Sequence, residues 1–267
     1  NFWKKFRMAI ITLTTDLGTR DHYVASLKGT LLALHPATVI VDVTHEISHF
    51  NTMEAAFVLK SAYHKFPEGS IHLLGVDPEG SRHNRTLVME LRGHFFVAPD
   101  NGVLSLIRED ESCVSIAIDE EKLGLTGSGR AFLAQNRLAP IAARLAAGTP
   151  LTELGEPHAI REYLWGAPIY TGNVLRGVIQ HLDHFGNAIT NLRKSTFIEY
   201  KGDRSFQIII RNLRLQRIVS SYGDVSKGEA LAIFSDNDHL EIAIREGSAA
   251  QLLGINIQNM LTVEFYE

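Results

Sequence analysis

Three short apolar runs alternate with two amphipathic segments near the start of the chain, and this alternation constrains the fold more than any other feature. The runs at residues 9–13, 39–45 and 70–76 have the length and the β-branched composition of buried strands. Residues 22–35 and 55–66 between them repeat apolar side chains at the helical period. Short connections in the order βαβαβ predict a parallel sheet with covering helices.

Two further features refine this prediction. Residues 86–91 and 94–98 indicate a hairpin across Arg92 and Gly93, so the N-terminal sheet is parallel or mixed. After residues 155–168 helical periodicity gives way to short strands, which predicts a smaller all-β, barrel-like domain with one small helix at 249–253. We therefore expect an α/β domain over residues 1–160 and a β domain over 168–267. The predicted strands of the second domain are residues 174–182, 188–192, 206–211, 230–234, 240–244 and 261–265.

Composition narrows the class of protein. The 267 residues carry a formal net charge of −4 with no basic tract, which argues against nucleic-acid binding. Cys113 is the single cysteine, so no intrachain disulfide forms. No apolar stretch is long enough to span a bilayer, and we expect a cytoplasmic protein. The histidine spacings do not suggest a metal site and no Gly-x-Ser-x-Gly elbow is present, so we expect neither metal nor cofactor.

Acidic residues follow two of the predicted strands. Asp16 and Asp77 come at or just past strand ends, and the carboxyl ends of parallel strands in open α/β sheets face one ligand-binding crevice. An ionised carboxylate is an acceptor that suits a pair of hydroxyls such as a ribose diol. Each acid has a structural alternative as a turn residue. Asp21 stands at the head of the first helix, where capping is its favoured role on these residues alone.

The turn at residues 182–188 places an acid, two aromatic rings, a glycine and an amide between two strands. Asp183, Phe185 and Asn187 could hold a ligand, since an aromatic ring can stack on a purine and an amide can read its edge. The alternative is a bulged turn in which glycine and asparagine serve the backbone. The residues alone favour the turn.

The ordered set of motifs resembles the S-adenosylmethionine hydroxide adenosyltransferase family, whose relatives attack the same substrate with fluoride or chloride. The resemblance covers nearly the whole chain. It implies an α/β domain followed by a β-barrel domain, and a homotrimer with each site between two subunits. The implied reaction is attack of water at the 5′ carbon, which gives adenosine and methionine. The motifs that carry it are residues 14–18, 23–24, 28–29, 40–45, 77–78, 98–102 and 183–187.

The same resemblance implies roles for single residues. Asp16 resembles the acid that binds the ribose diol, and Asp21 and Asp183 resemble acids that hold the amino group of the methionine part. Phe185 and Asn187 fall in the stretch that receives the adenine ring. Asp77 matches the catalytic aspartate of the hydrolytic members.

The chain departs from the family pattern at two catalytic positions. The usual arginine falls on Asn84, with Arg85 one step later, and the usual histidine falls on Leu133. Hydrolysis either continues with substitutes, such as Arg85 together with His83 or His94, or gives way to binding of an adenosine compound without efficient turnover. Loss of a general base typically costs about 10²–10⁴-fold in rate. The predicted function is therefore the reaction of the family, catalysed by a divergent member.

Overall fold

A computed structural model describes residues 8–79, 85–109, 111–125, 131–163 and 166–267. The chain divides into two compact units, residues 1–164 and 165–267. Within the described ranges, no helix is long and apolar enough to cross a membrane.

The first unit is built on a seven-stranded mixed sheet in the order β2-β1-β3-β5-β4-β6-β7. Strands β2, β1, β3 and β5 run parallel, and β4, β6 and β7 join in antiparallel pairs. The carboxyl ends of the parallel strands therefore lie along one edge. The strands are β1 Ile10–Thr15, β2 Val39–Thr44, β3 Ile71–Gly75, β4 Thr86–Leu91, β5 His94–Pro99, β6 Val114–Ile118 and β7 Gly155–Pro157.

Helices cover both faces of this sheet. On one face α1 and α4 bury Leu27, Leu31 and Ile141 against the apolar side chains of β1 and β3. On the other face α2 and α3 bury Leu59 and Leu104 against β3, β4 and β5. Because helices cover both faces of the sheet, the side chains on both sides of each central strand are buried. This explains why these strands are continuous apolar runs in the sequence. The helices are α1 Tyr23–Leu34, α2 Thr52–Ala62, α3 Val103–Arg108, α4 Ala139–Ala146 and α5 Leu151–Leu154.

Local signals fixed several element boundaries. The side chain of Asn51 caps α2 by accepting a hydrogen bond from the backbone N–H of Glu54 at 3.1 Å. Arg92 and Gly93 both have positive φ, as a tight hairpin turn between β4 and β5 requires. Gly148 has φ +85° just after α4, which is the left-handed ending typical of a helix.

The second unit is an antiparallel, nearly closed sheet, which confirms the predicted barrel-like β domain. Its main path is β12-β11-β15-β9-β10-β14-β13, with β8 paired to β9. Leu175, Ile208, Ile242 and Val263 come from four strands and meet in one buried core. The elements are β8 Ile169–Thr171, β9 Val174–Leu182, β10 Ala188–Arg193, α6 Lys194–Lys201, β11 Ser205–Ile210, β12 Leu213–Leu215, β13 Ala230–Phe234, β14 His239–Ile244, α7 Ala249–Leu253 and β15 Met260–Tyr266.

The sequence did not predict α6. Phe197 is the one buried residue of that helix, so no apolar stripe marks its period. The three-residue strands β7, β8 and β12 are also additions, because they are too short to show an alternating pattern.

Candidate active site

A cavity of about 370 Å³ lies at the edge of the first sheet where β1 and β3 end. We call it the Asp77 cavity. Its wall combines three acids with aromatic and aliphatic side chains, a mixture that suits a nucleoside-sized ligand with a cationic group. The described residues that line it are Asp16, Leu17, Tyr23, Leu27, His49, Phe50, Asp77, Pro78, Glu79, Phe132, Ala134 and Gln135.

Asp16 enters this cavity from the end of β1. Its Oδ2 atom accepts a hydrogen bond from the backbone N–H of Phe50 at 2.9 Å. Phe50 has φ +65°, which is uncommon for a residue with a side chain, and it is 71% exposed. The second carboxylate oxygen of Asp16 remains available to a ligand.

Asp77 follows β3 in a strained conformation. Its φ is +45°, which is uncommon for a residue with a side chain, and the side-chain amide of Asn101 donates to the carbonyl of Val76 at 3.0 Å to hold the turn. Partial burial raises the pKa of Asp77, and the negative charges of Asp16 and Glu79 raise it further. A carboxylate with a raised pKa is a better general base than an ordinary aspartate.

The third acid in the wall, Glu79, joins two segments. Its Oε1 atom accepts a hydrogen bond from the backbone N–H of Leu133 at 3.2 Å. A π-helical turn, Ala134–Leu138, follows at once and packs tightly on β3, since a Cβ added at Gly75 would lie 3.0 Å from the Cβ of Ala134. Phe132, with φ +56°, stacks on Tyr23 at a centroid distance of 5.1 Å.

A polar network lies directly behind the Asp16 turn. The Thr15 hydroxyl is 2.7 Å from Nδ1 of the buried His45, whose Nε2 is 3.1 Å from Oδ1 of Asp42. Lys28 approaches the other oxygen of Asp42 at 2.6 Å. Partial burial acts to raise the pKa of Asp42, but Lys28 and His45 outweigh it and lower that pKa. Sequence reasoning noted these residues within motifs but did not connect them, because Thr15 and His45 are far apart in the chain.

The prediction that Asp21 caps α1 is wrong. The N-cap residue is His22, and it makes no side-chain capping bond. Asp21 is exposed just before the helix, so a ligand role for it stays a prediction.

The proposed substitutes for the missing arginine and histidine have different outcomes. Arg85 is exposed and directly precedes β4, at the edge where the parallel strands end, and its catalytic role stays a prediction. His94 is the wrong candidate, because it begins β5 at the opposite edge, where its Nδ1 lies 3.1 Å from Nε2 of the buried His72. Asn84 and His83 lie outside the described residues.

In the second unit, Asp183 and Asn187 bind one another. The Asp183 carboxylate accepts from the backbone N–H of Asn187 at 2.8 Å and from its side-chain amide at 2.9 Å. This is the turn that the residues alone favoured. The carboxylate keeps acceptor capacity after these two bonds, because it offers about four lone-pair sites.

The same turn presents Phe185 to solvent. Its ring is 75% exposed, although large aromatic side chains ordinarily seek burial. Gly186 has φ +80°, and a Cβ there would lie 2.0 Å from Oγ of Ser248, so only glycine fits between the turn and the start of α7. Phe185 therefore lies exposed in a turn whose backbone packs closely against the residue that begins α7.

Open α/β sheets typically bind small molecules at the edge where their parallel strands end, and the acid-lined Asp77 cavity lies at that edge. The models described as SAM hydroxide adenosyltransferase N-terminal and C-terminal domains match residues 11–155 and 177–262. The chain belongs to the S-adenosylmethionine hydroxide adenosyltransferase family.

Individual relatives agree with this placement. The chain is similar to the (R)-S-adenosyl-L-methionine hydrolase of Salinispora tropica, with 30% identity over 95% of this chain and 97% of that protein. A fluorinase from an Actinoplanes species is 27% identical over 70% of this chain and 72% of its own length. The crystal structure of an uncharacterized conserved protein from Thermotoga maritima superposes with a TM-score of 0.86 at 29% identity, covering 95% of this chain and 99% of that one.

Proposed function

We propose that this protein hydrolyses S-adenosylmethionine to adenosine and methionine. The observation that carries the proposal is the placement of Asp77, with its raised pKa, in one cavity with Asp16 in a chain of this family. The sulfonium of the substrate already activates the 5′ carbon toward displacement. The protein must therefore hold that carbon in line with a water molecule and accept a proton from it.

The reaction balances with the residues of the cavity. A bond forms between the water oxygen and C5′ while the C5′–S bond breaks, and its electron pair returns to sulfur to give the neutral thioether of methionine. The proton lost by the water passes to the Asp77 carboxylate, whose raised pKa favours that transfer. Asp16, held by the Phe50 N–H, binds the ribose diol and fixes C5′.

Product analysis tests this proposal. The unmodified protein is incubated with S-adenosylmethionine, and adenosine is quantified by chromatography. Asp77→Asn is the matched variant, because asparagine tolerates a positive φ and keeps the side-chain shape. We expect the variant to lose about 10²–10⁴-fold in rate while its affinity for adenosine stays within about twofold. Binding without adenosine release from the unmodified protein would instead identify a binding protein without turnover.

The names of the relatives specify the configuration at sulfur. The Salinispora and Methanocaldococcus jannaschii proteins are called (R)-S-adenosyl-L-methionine hydrolases. We propose the same preference here, supported by identities of 30% to both. Separate assays with the two resolved sulfonium epimers decide it, and equal rates would contradict the preference.

We further propose a homotrimer in which the Asp77 cavity of one copy receives the 183–187 turn of a neighbour, as the family resemblance implies. Light scattering gives the mass, and coexpression tests the shared site. Asp77→Asn and Asp183→Ala chains, each impaired alone, should regain activity when mixed, because some sites then combine two unmodified halves. A mixture no more active than its parts would place both residues in one chain's site. The cytoplasmic location stays a prediction that cell fractionation can test.

A further inference from the structure

Glu79 occupies a place that the family pattern does not assign. It lies two residues after Asp77, lines the same cavity and contacts the backbone of Leu133, where the family has its histidine. Leu133 itself is half-buried, and its side chain is not part of the cavity wall. Of the described residues, those that supply polar side chains to the wall beside Leu133 are Glu79, with its carboxylate, and Gln135, with its amide.

We propose that Glu79 is a positioning residue for the hydrolysis: its carboxylate ties the Asp77 loop to the Phe132–Gln135 segment and places a second negative charge beside the base. This inference rests on the proposed function. One oxygen of Glu79 accepts the Leu133 N–H at 3.2 Å, which leaves the other oxygen for the cavity.

The change in charge during the reaction explains why a carboxylate at the position of Glu79 would help. When water attacks C5′, positive charge leaves sulfur and develops on the attacking oxygen until its proton is lost. Fixed negative charge near that oxygen stabilises the transition state, and because Glu79 is exposed we expect solvent to limit the effect to several-fold. Glu79 thus supports the proton transfer to Asp77 without itself accepting the proton.

Among the residues that the structure describes, the titratable groups that line the cavity with Asp77 come from four segments. They are Asp16 at the end of β1, Tyr23 in α1, His49 in the loop after β2, and Glu79 in the loop of Asp77 itself. Burial contributes most to the raised pKa of Asp77, with Asp16 and Glu79 next. Removing the charge of Glu79 should therefore lower the pKa of Asp77 without returning it to its ordinary value.

The test is Glu79→Gln, which keeps an oxygen for the Leu133 N–H and removes the charge. Because the base must be deprotonated, the rate rises with pH through the pKa of Asp77. We expect the variant's kcat to rise at lower pH than that of the unmodified protein and to reach a plateau several-fold lower. Adenosine is uncharged, so its Kd should change less than about twofold. Glu79→Ala, which also loses the backbone contact, should lower kcat further.

Two controls separate the possible failures. Glu90→Gln removes a carboxylate from β4 near the opposite edge of the sheet and should leave the pH profile unchanged. Carboxyl NMR titration of Asp77 in the unmodified and Glu79→Gln proteins reports the coupling even if no adenosine is released. An inactive unmodified protein overturns the proposed function. An active one whose pH profile and Asp77 titration do not move in Glu79→Gln overturns the role of Glu79.

Discussion

The hydroxyl of Thr15 lies 2.7 Å from Nδ1 of His45. Thr15 directly precedes Asp16, the acid that enters the Asp77 cavity from β1. His45 is buried, and its carbonyl also accepts the backbone N–H of Gly18 at 2.8 Å. One histidine thus fixes the chain on both sides of Asp16. The backbone around Asp16 is therefore tied to a residue that directly follows the neighbouring strand β2.

We expect His45→Ala to weaken both the fold and the site. Loss of a buried hydrogen-bond partner for Thr15 should lower the free energy of unfolding by about 1–3 kcal/mol, and adenosine affinity should fall because the Asp16 turn loosens. Denaturant unfolding and calorimetry measure the two effects. Asp42→Asn, which disturbs the half-exposed outer part of the network, should cost less than about 1 kcal/mol. Unchanged affinity in His45→Ala would contradict the positioning role.

Asp16→Asn should reduce adenosine affinity at least about tenfold, because hydrogen bonds to a charged acceptor are worth about 1.5–3 kcal/mol. Calorimetry measures the Kd of the unmodified and Asp16→Asn proteins for adenosine and for 2′-deoxyadenosine. These four affinities form a double-mutant cycle in which the second change is made in the ligand. The unmodified protein should lose affinity when the 2′ hydroxyl is removed, whereas Asp16→Asn should lose little more. Additive losses would mean that Asp16 does not contact the ribose diol.

Phe185→Ala should weaken adenosine binding without destabilising the protein. Stacking of a base on an aromatic ring contributes about 1–3 kcal/mol, so Kd should rise about 5- to 150-fold. The ring is 75% exposed, and its removal should leave Tm nearly unchanged. Ile198→Ala removes another exposed apolar side chain of the same unit and should alter neither property. A loss of affinity in both variants would point to a nonspecific effect.

Acid should destabilise the first unit through its buried histidine pair. Nε2 of His72 lies 3.1 Å from Nδ1 of His94, and Thr12 contacts the other ring nitrogen of His72 at 2.7 Å. Burial, together with the charge of a protonated His94, lowers the pKa of His72 from 6.5 to about 3. Below the pKa of the unfolded chain the unfolded state binds more protons, so stability falls as pH decreases.

This contribution should amount to about 2 kcal/mol between about pH 7.5 and pH 5. Urea unfolding at several pH values measures it. In His72→Gln the free energy of unfolding should be lower but should depend less on pH. His184 is exposed, and His184→Gln should keep the pH dependence of the unmodified protein. An equally steep dependence in His72→Gln would assign the effect to other groups.

Local sequence signals predicted the elements that depend on neighbours in the chain. The Asn51 cap, the Arg92-Gly93 turn and the alternating strands of the second unit all follow from residues a few positions apart. The prediction that Asp21 caps α1 was wrong because the helix begins one position later than expected and its N-cap residue is His22. Helix α6 was missed because one buried residue gives no period.

By itself the sequence determined the two kinds of periodicity, the change from α/β to β, and the family. Those features depend on the spacing of residues close together in the chain and on the order of the motifs. Only the tertiary structure decided that Glu79 meets Leu133, that His45 supports the Asp16 turn, and that His94 lies at the edge away from the cavity. Such contacts join residues separated by 22 to 54 positions, and their distances follow from strand order and register, which local preferences do not encode.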